Sequence, residues 1–174
     1  LSDSQKVAAA RIARQRGWNY YAIHAANSAG AWDELDLRFP EAFQPIFQAY
    51  AEAESVSITD LMSIARRESA MDPLARSPVG ALGLMQVMPS TGKMVARQQG
   101  MVFRSTQLHQ VEYNVSIGAH YYRGLLDRFS QHRPKALAGY NAGENAVLRA
   151  QGIPTYPETR DYVPKVLAAF SIAK

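Results

Sequence analysis

The sequence predicts an all-α protein. Three observations carry this. Apolar residues recur at helical spacing in one segment after another. No stretch alternates apolar and polar residues as a half-buried strand would. Gly, Pro and Asn fall between the periodic segments, where helices start and stop. No repeat of fixed period is present. A chain of 174 residues suits one compact domain or a domain with an appendage.

Taken in order, residues 2–16 read as a helix with Val7, Ala8, Ile12 and Ala13 on its apolar stripe and Gly17 as its stop. Residues 18–29 read as a second helix, carrying Tyr21, Ile23 and His24, and a short third segment follows at 32–37. Pro40 can open a fourth helix with Phe43, Ile46, Phe47 and Tyr50, which Pro45 kinks or delays. Residues 51–56 are small and acidic and read as a joint, so the expected units are a helical appendage over 1–54 and a larger domain over 55–174. Ser57 caps the next helix, with Asp60 in a capping-box-like position. Residues 72–83 hold Pro73, Pro78, Gly80 and Gly83 and read as loop. Pro89 starts a helix to about residue 98, and 100–109 is loop. A long helix is expected over 114–129 with Ile117, Tyr121, Leu125 and Phe129 on one stripe. Shorter helices follow at 135–140 and 145–150. A last one spans about 158–172, where Pro164 can mark the true first turn.

Composition narrows the function classes. The chain is 47% hydrophobic and 20% charged. It holds no apolar run of about 18 residues, the length of a membrane span. It begins with Leu, which points to a mature or trimmed form with any export signal outside it. With no Cys, disulfides, thiolate metal sites and a Cys nucleophile are excluded. The four His are dispersed and no calcium-loop pattern occurs, so no metal or other cofactor is expected. The net charge of +4 favours an anionic partner, yet Lys and Arg are scattered and form no dense basic run.

One residue is out of place by ordinary packing rules. Glu68 lies seven residues after Leu61, four after Ile64 and three after Ala65. At about 3.6 residues per turn these share one face, so a carboxylate sits on the apolar stripe while Arg66 and Arg67 point away. On the helix alone, a Glu paired with an Arg at the stripe's edge is the ordinary explanation. A buried unpaired carboxylate instead keeps its proton to higher pH, which is what a general acid needs. The surroundings favour the second reading. Ser77, Gln86, Tyr140, Asn141 and Tyr162 occur among small or apolar neighbours, with Gly80, Gly83 and Gly143 beside them. Small residues and a few convergent polar groups describe a cleft for a polar ligand.

The stretches RRESAMDP, SPVGALGLMQVMP, GYNAGENAV and PETRDYV, in that order, resemble the motifs of the soluble lytic transglycosylases, lysozyme-like muramidases. The resemblance covers roughly residues 57–170. Residues 1–50 also resemble the helical tail that precedes the catalytic domain in the large members, whose superhelical ring is mostly missing here. It implies a lysozyme-like catalytic fold. It further implies that Glu68 is the single catalytic acid/base, that Ser77 and Gln86 line the cleft, and that Met85 belongs to its floor. Tyr140 matches the tyrosine whose hydroxyl bonds the catalytic carboxyl, with Asn141 after it, and Tyr162 matches one near the sugar site. The implied substrate is peptidoglycan, cut between N-acetylmuramic acid and N-acetylglucosamine with a 1,6-anhydro end. That places the protein at the periphery of the cell envelope, in the periplasm, with no nucleic acid as partner.

Glycoside hydrolysis ordinarily uses two carboxylates. Asp72 precedes a helix-breaking Pro, Glu144 follows the GYNAG turn, and Asp127 reads as part of a solvated face; none has a clear claim, and Glu144 is the one least expected to be idle. The alternatives are a hydrolase on the same scaffold, as in goose-type lysozymes, and a helical module that grips glycan without chemistry.

Overall fold

The computed structural model describes residues 1–169. Among them are ten α-helices and a 3-10 turn, with only isolated β-bridges around Leu82. The helices are α1 (Asp3–Gln15), α2 (Asn19–Ser28), α3 (Leu35–Arg38), α4 (Gln44–Glu54), α5 (Ile58–Ser69), α6 (Pro89–Gln98), α7 (Val111–Arg128), α8 (Arg133–Ala142), α9 (Glu144–Ala150) and α10 (Pro157–Ala168), with the 3-10 turn at Ser105–His109 ahead of α7. The expected reach of the last helix to residue 172 runs past the described residues.

The first three helices pack on one another around Ala10, Ala26 and Leu37. The expected stripe on α1 is only partly right: Ala10 and Ala13 are buried, whereas Ala8 is exposed and Ile12 is 52% exposed. Two small residues let α1 approach α2 closely, and a branched side chain in their place would hold the helices apart. α4 begins at Gln44, so Pro45 occupies its first turn, where a missing N–H is harmless, and Pro40 opens nothing. The expected joint at 51–56 is mostly the end of α4, with Ser55 in left-handed conformation closing it. Phe47 and Ala51 of α4 belong to the main core and α4 packs on α5 and α7, so the packing boundary falls ahead of α4 and not at residue 54.

α7 is the axis of the larger part. It is buried on more than one face, through Val115, Ile117, Ala119, Tyr122 and Leu125. Gly118 lets the turn after α5 lie directly on it: a Cβ there would come within 2.5 Å of the Met85 sulfur. α5 packs on α4 and α10 with Leu61, Ile64 and Ala65 fully buried. Ser57 caps α5 by accepting from the Asp60 N–H at 3.4 Å. The capping box is half formed, because the Asp60 carboxylate is used elsewhere. It is 3% exposed, accepts from the Tyr122 hydroxyl at 2.8 Å, and is forked by the Arg133 guanidinium, tying α5 to α7 and α8. A buried carboxylate is tolerated when charge and hydrogen bonds satisfy it in this way.

Arg66 joins the N-terminal helices to α5. Its Nε donates to the Arg38 carbonyl at 2.6 Å, and its guanidinium lies 5.3 Å from the Phe39 ring. Pro164 lies inside α10, whose first turn holds Pro157 instead.

Candidate active site

Glu68 is the penultimate residue of α5, and its placement follows from how that helix stops. Ala70 and Met71 both take positive φ, which turns the chain sharply out of the helix. Ser69 then staples the following loop back: its hydroxyl donates to the Leu84 carbonyl at 2.7 Å and accepts from the Asp72 N–H at 3.2 Å. The loop folds on itself by isolated bridges, and the Ser77 hydroxyl accepts from the Ala81 N–H at 2.9 Å. The result is a cleft of about 430 Å³ beside Glu68. Ser77 and Gln86 line it, as the sequence led one to expect. The Gln86 amide nitrogen is spent on the Gly83 and Ala75 carbonyls at 2.9 and 3.2 Å, which leaves its oxygen for a ligand.

The Glu68 carboxyl is raised to about 7, first by burial; the Tyr162 hydroxyl and the Arg67 charge pull it down, and the Glu158 charge pushes it up. Tyr162 is 3% exposed, and its hydroxyl closes no hydrogen bond of good geometry with any described residue. It nevertheless faces Glu68 closely enough to act on it as a donor. A hydroxyl so placed favours the ionised form of Glu68, because a carboxylate accepts from it more strongly than a carboxylic acid does.

The other expected site residues sit around this centre. The Tyr140 hydroxyl donates to the Met85 carbonyl at 2.9 Å and not to Glu68, although it lies near enough to feel the Glu68 charge. Met85 is fully buried beneath the cleft, with its N–H held by the Asn114 side chain at 2.7 Å. Asn141 is committed to α10, accepting from the Thr159 hydroxyl at 2.7 Å and donating to Glu158 at 3.1 Å. Glu68, Ser77 and Gln86 thus line this cleft, Met85 and Tyr162 are buried away from it, and Tyr140 and Asn141 are half-buried outside its lining.

Sequence reasoning missed one whole wall. Tyr20, Ile23, His24 and Asn27 of α2 line the cleft with Arg76, and Arg66 and Arg67, expected to point away from Glu68, line it too from the same helix as the acid. The contribution of α2 is set by a helix–helix contact distant in sequence, which local periodicity does not encode. Of the carboxylates weighed as a second acid, Asp72 accepts from the Leu74 N–H at 2.9 Å, Asp127 pairs with Arg123 at 2.8 Å, and Glu144 is exposed at the start of α9. Glu158 acts on Glu68 only through its charge. Among the described residues lining the cleft, Glu68 is the only carboxylate.

Comparison with known proteins agrees with this geometry. The family model "Transglycosylase SLT domain" matches residues 45–163, and "Soluble lytic murein transglycosylase L domain" matches residues 1–35. The soluble lytic murein transglycosylase of Salmonella typhimurium is 36% identical over 96% of this chain and 28% of its own length, and that of Escherichia coli K12 is 34% identical over the same shares. The structure of an inactive Glu-to-Gln mutant of the Pseudomonas aeruginosa lytic transglycosylase Slt superposes with a TM-score of 0.93 at 33% identity, covering 99% of this chain and 30% of that one. The Escherichia coli 70-kDa soluble lytic transglycosylase superposes with a TM-score of 0.90 at 32% identity, and a complex of the 70-kDa enzyme with bulgecin A matches equally. The chain thus spans under a third of the length of these relatives. The all-α, lysozyme-like fold and the resemblance carried by the four motifs are borne out, and the chain belongs to the transglycosylase SLT family.

Proposed function

We propose that this chain is a peptidoglycan lytic transglycosylase, with Glu68 acting first as acid and then as base. The observation that carries the reading is a lone carboxyl, raised to about 7, in a cleft lined by no other carboxylate among the described residues. A group that must give a proton and then take one works best near the operating pH. With no second carboxylate to act as nucleophile or to activate water, the substrate supplies the nucleophile. Glu68 protonates the oxygen leaving the muramic acid C1 as that bond breaks, and the substrate's own N-acetyl carbonyl oxygen bonds C1. The Glu68 carboxylate then takes the proton of the C6 hydroxyl, O6 bonds C1 in place of the acetyl oxygen, and the 1,6-anhydro ring closes without water. The substrate is murein between its N-acetylmuramic acid and N-acetylglucosamine units, which sets the activity in the bacterial cell envelope, in the periplasm. The lytic transglycosylase activity of the relatives and the inactive Glu-to-Gln mutant of the Pseudomonas protein support the reading.

Mass spectrometry of digested purified peptidoglycan tests it. Products lighter by one water than ordinary muropeptides are expected; ordinary reducing ends would establish a hydrolase instead.

In the same reading Tyr162 tunes Glu68, Tyr140 and Met85 fix the floor, and Ser77, Gln86 and Asn141 hold substrate directly or through that frame. Tyr162→Phe removes a donor that favours the ionised carboxyl. The fall of kcat/KM on the alkaline side is therefore expected to move to higher pH. Tyr140→Phe is expected to lower kcat by less than Glu68→Gln does and to leave the pH profile where it was, because its hydroxyl is spent on Met85. Unchanged activity in Tyr140→Phe would remove its orienting role.

A further inference from the structure

The start of α2 carries an aromatic cluster that the reaction does not use. Trp18 is 51% exposed, Tyr20 39% and Tyr21 64%. The Tyr20 and Tyr21 rings meet edge-on at 5.4 Å, Trp18 and Tyr21 at 6.5 Å, and His24 lies 4.2 Å from Tyr20. Single exposed apolar residues need no explanation, but a contiguous cluster marks a contact surface.

Its position says what the contact is. Tyr20 lines the Glu68 cleft on one side, and on the other it lines a groove with Trp18, Tyr21, Met71, Asp72 and Leu74. Those last three directly follow the helix that delivers Glu68, so groove and cleft are consecutive along one surface, with Tyr20 at their junction. The groove is chemically suited to sugar. Rings offer flat faces to the C–H side of a pyranose, and acceptors beside them take its hydroxyls. Asp72 has one carboxylate oxygen on the Leu74 N–H at 2.9 Å, which leaves the other available. Asn19, 6% exposed on the same groove, has a side-chain oxygen without a partner among the described residues. Arg16 stacks on the Trp18 ring at 5.0 Å, the one cation among the described residues beside an otherwise neutral and acidic lining.

We propose that Trp18, Tyr20 and Tyr21 of α2, with Asp72 from the turn after α5, form a remote subsite that holds the far hexosamine units of the strand being cut at Glu68. The proposal rests on the glycan-cleaving reading above. It makes the N-terminal helices part of substrate binding and gives the protein a preference for long strands.

The test is steady-state kinetics of the Trp18→Ala/Tyr21→Ala double variant on uncrosslinked glycan strands, comparing the shortest strand cut with markedly longer ones. Trp18 is half-buried beside Arg16, so thermal melts that match wild type are required of the variant before its kinetics are compared. The KM for long strands is expected to rise about five- to tenfold, the scale of one or two lost aromatic contacts, with kcat and all short-strand kinetics unchanged. Equal KM values on long strands would overturn the proposal. So would a changed oligomeric state in light scattering, which would assign the rings to a protein contact. Calorimetric binding of uncut strands to Glu68→Gln, with and without the two ring substitutions, separates this proposal from the reaction itself. If wild-type protein yields no anhydro products, the glycan-cleaving reading fails; affinity that grows with strand length and is lost with the rings would still support the subsite.

Discussion

Glu68→Gln is expected to remove turnover, by about a thousandfold or more, while the fold stays intact. General acid or base catalysis by one positioned group contributes about 10²–10⁴ in rate, and here one carboxyl is asked to serve as both in succession. The amide has the same shape and can neither deliver a proton to the leaving oxygen nor accept one from the C6 hydroxyl. Soluble, cooperatively melting protein with no anhydro products is the expected result. A Gln variant with wild-type kcat would end the acid/base role, and one that failed to fold would show that Glu68 is structural.

The same variant has a stability signature with a definite sign. Burial lifts the folded-state pKa of Glu68 from 4.5 to about 7. Between those values the native protein holds a proton that the unfolded chain has released, so stability falls as pH rises through that window. Below it both states are protonated and nothing is lost. Gln carries no proton at any pH. The variant is therefore expected to match wild type near pH 4 and to be more stable above pH 7. The full shift corresponds to about 3 kcal/mol, reduced to about 1–2 kcal/mol because the carboxyl opens onto the cleft. Thermal melts of both proteins across this range check it; a Gln variant less stable at pH 8 would show that the carboxylate is net stabilising. The acid thus sits where it destabilises the fold, the usual bargain at an active site.

Much of this was legible in the sequence, because it is written in local spacing. The face shared by Leu61, Ile64, Ala65 and Glu68 places the acid on the inward side of α5, and it is found half-buried there, opening onto the cleft. The loop signals between residues 72 and 83 fix where the helix gives way to the cleft. What was not legible depends on partners distant in the chain. Asp60 read as half of a capping box, and its carboxylate turned instead to Tyr122 and Arg133. Tyr140 was expected on Glu68 and is found on Met85, while Tyr162 faces the acid. Which of two tyrosines reaches a carboxyl depends on how α8 and α10 pack, and neither helix encodes that alone. His24 read as an ordinary packed or surface histidine; only the docking of α2 brings it to the cleft.

Asn114→Ala is expected to be the most damaging single change to the fold. Asn114 lies in α7, fully buried, where an Asn has poor helix propensity and needs a reason to be there. Its oxygen accepts from the Met85 N–H at 2.7 Å, and its nitrogen donates to the Leu82 and Leu108 carbonyls at 2.9 and 2.8 Å. One side chain thus satisfies two backbone groups of the turn that floors the Glu68 cleft and one of the 3-10 turn ahead of α7. Alanine gains in helix propensity and leaves all three unpaired, at about 1–3 kcal/mol for each group that finds no water. A net loss of about 3–5 kcal/mol is a large share of the roughly 5–15 kcal/mol that holds such a domain together. At about 2–4 °C per kcal/mol the melting temperature should fall by about 10 °C. Activity should fall further than the folded fraction does, because the floor loosens before the whole unfolds. Gly83→Ala reaches the same cluster from the other side. A Cβ there would sit 2.0 Å from the Leu108 carbonyl and 2.4 Å from the Asn114 amide, on a backbone with φ of +75°. If the cluster is one unit, the two losses are not additive: with Asn114 already gone, part of the clash at Gly83 is relieved, and the double variant should be less damaged than the sum by about 1 kcal/mol. Strict additivity in denaturant melts would mean that the turn is held by the two residues independently, and that the floor of the site is not the single keyed structure that these distances describe.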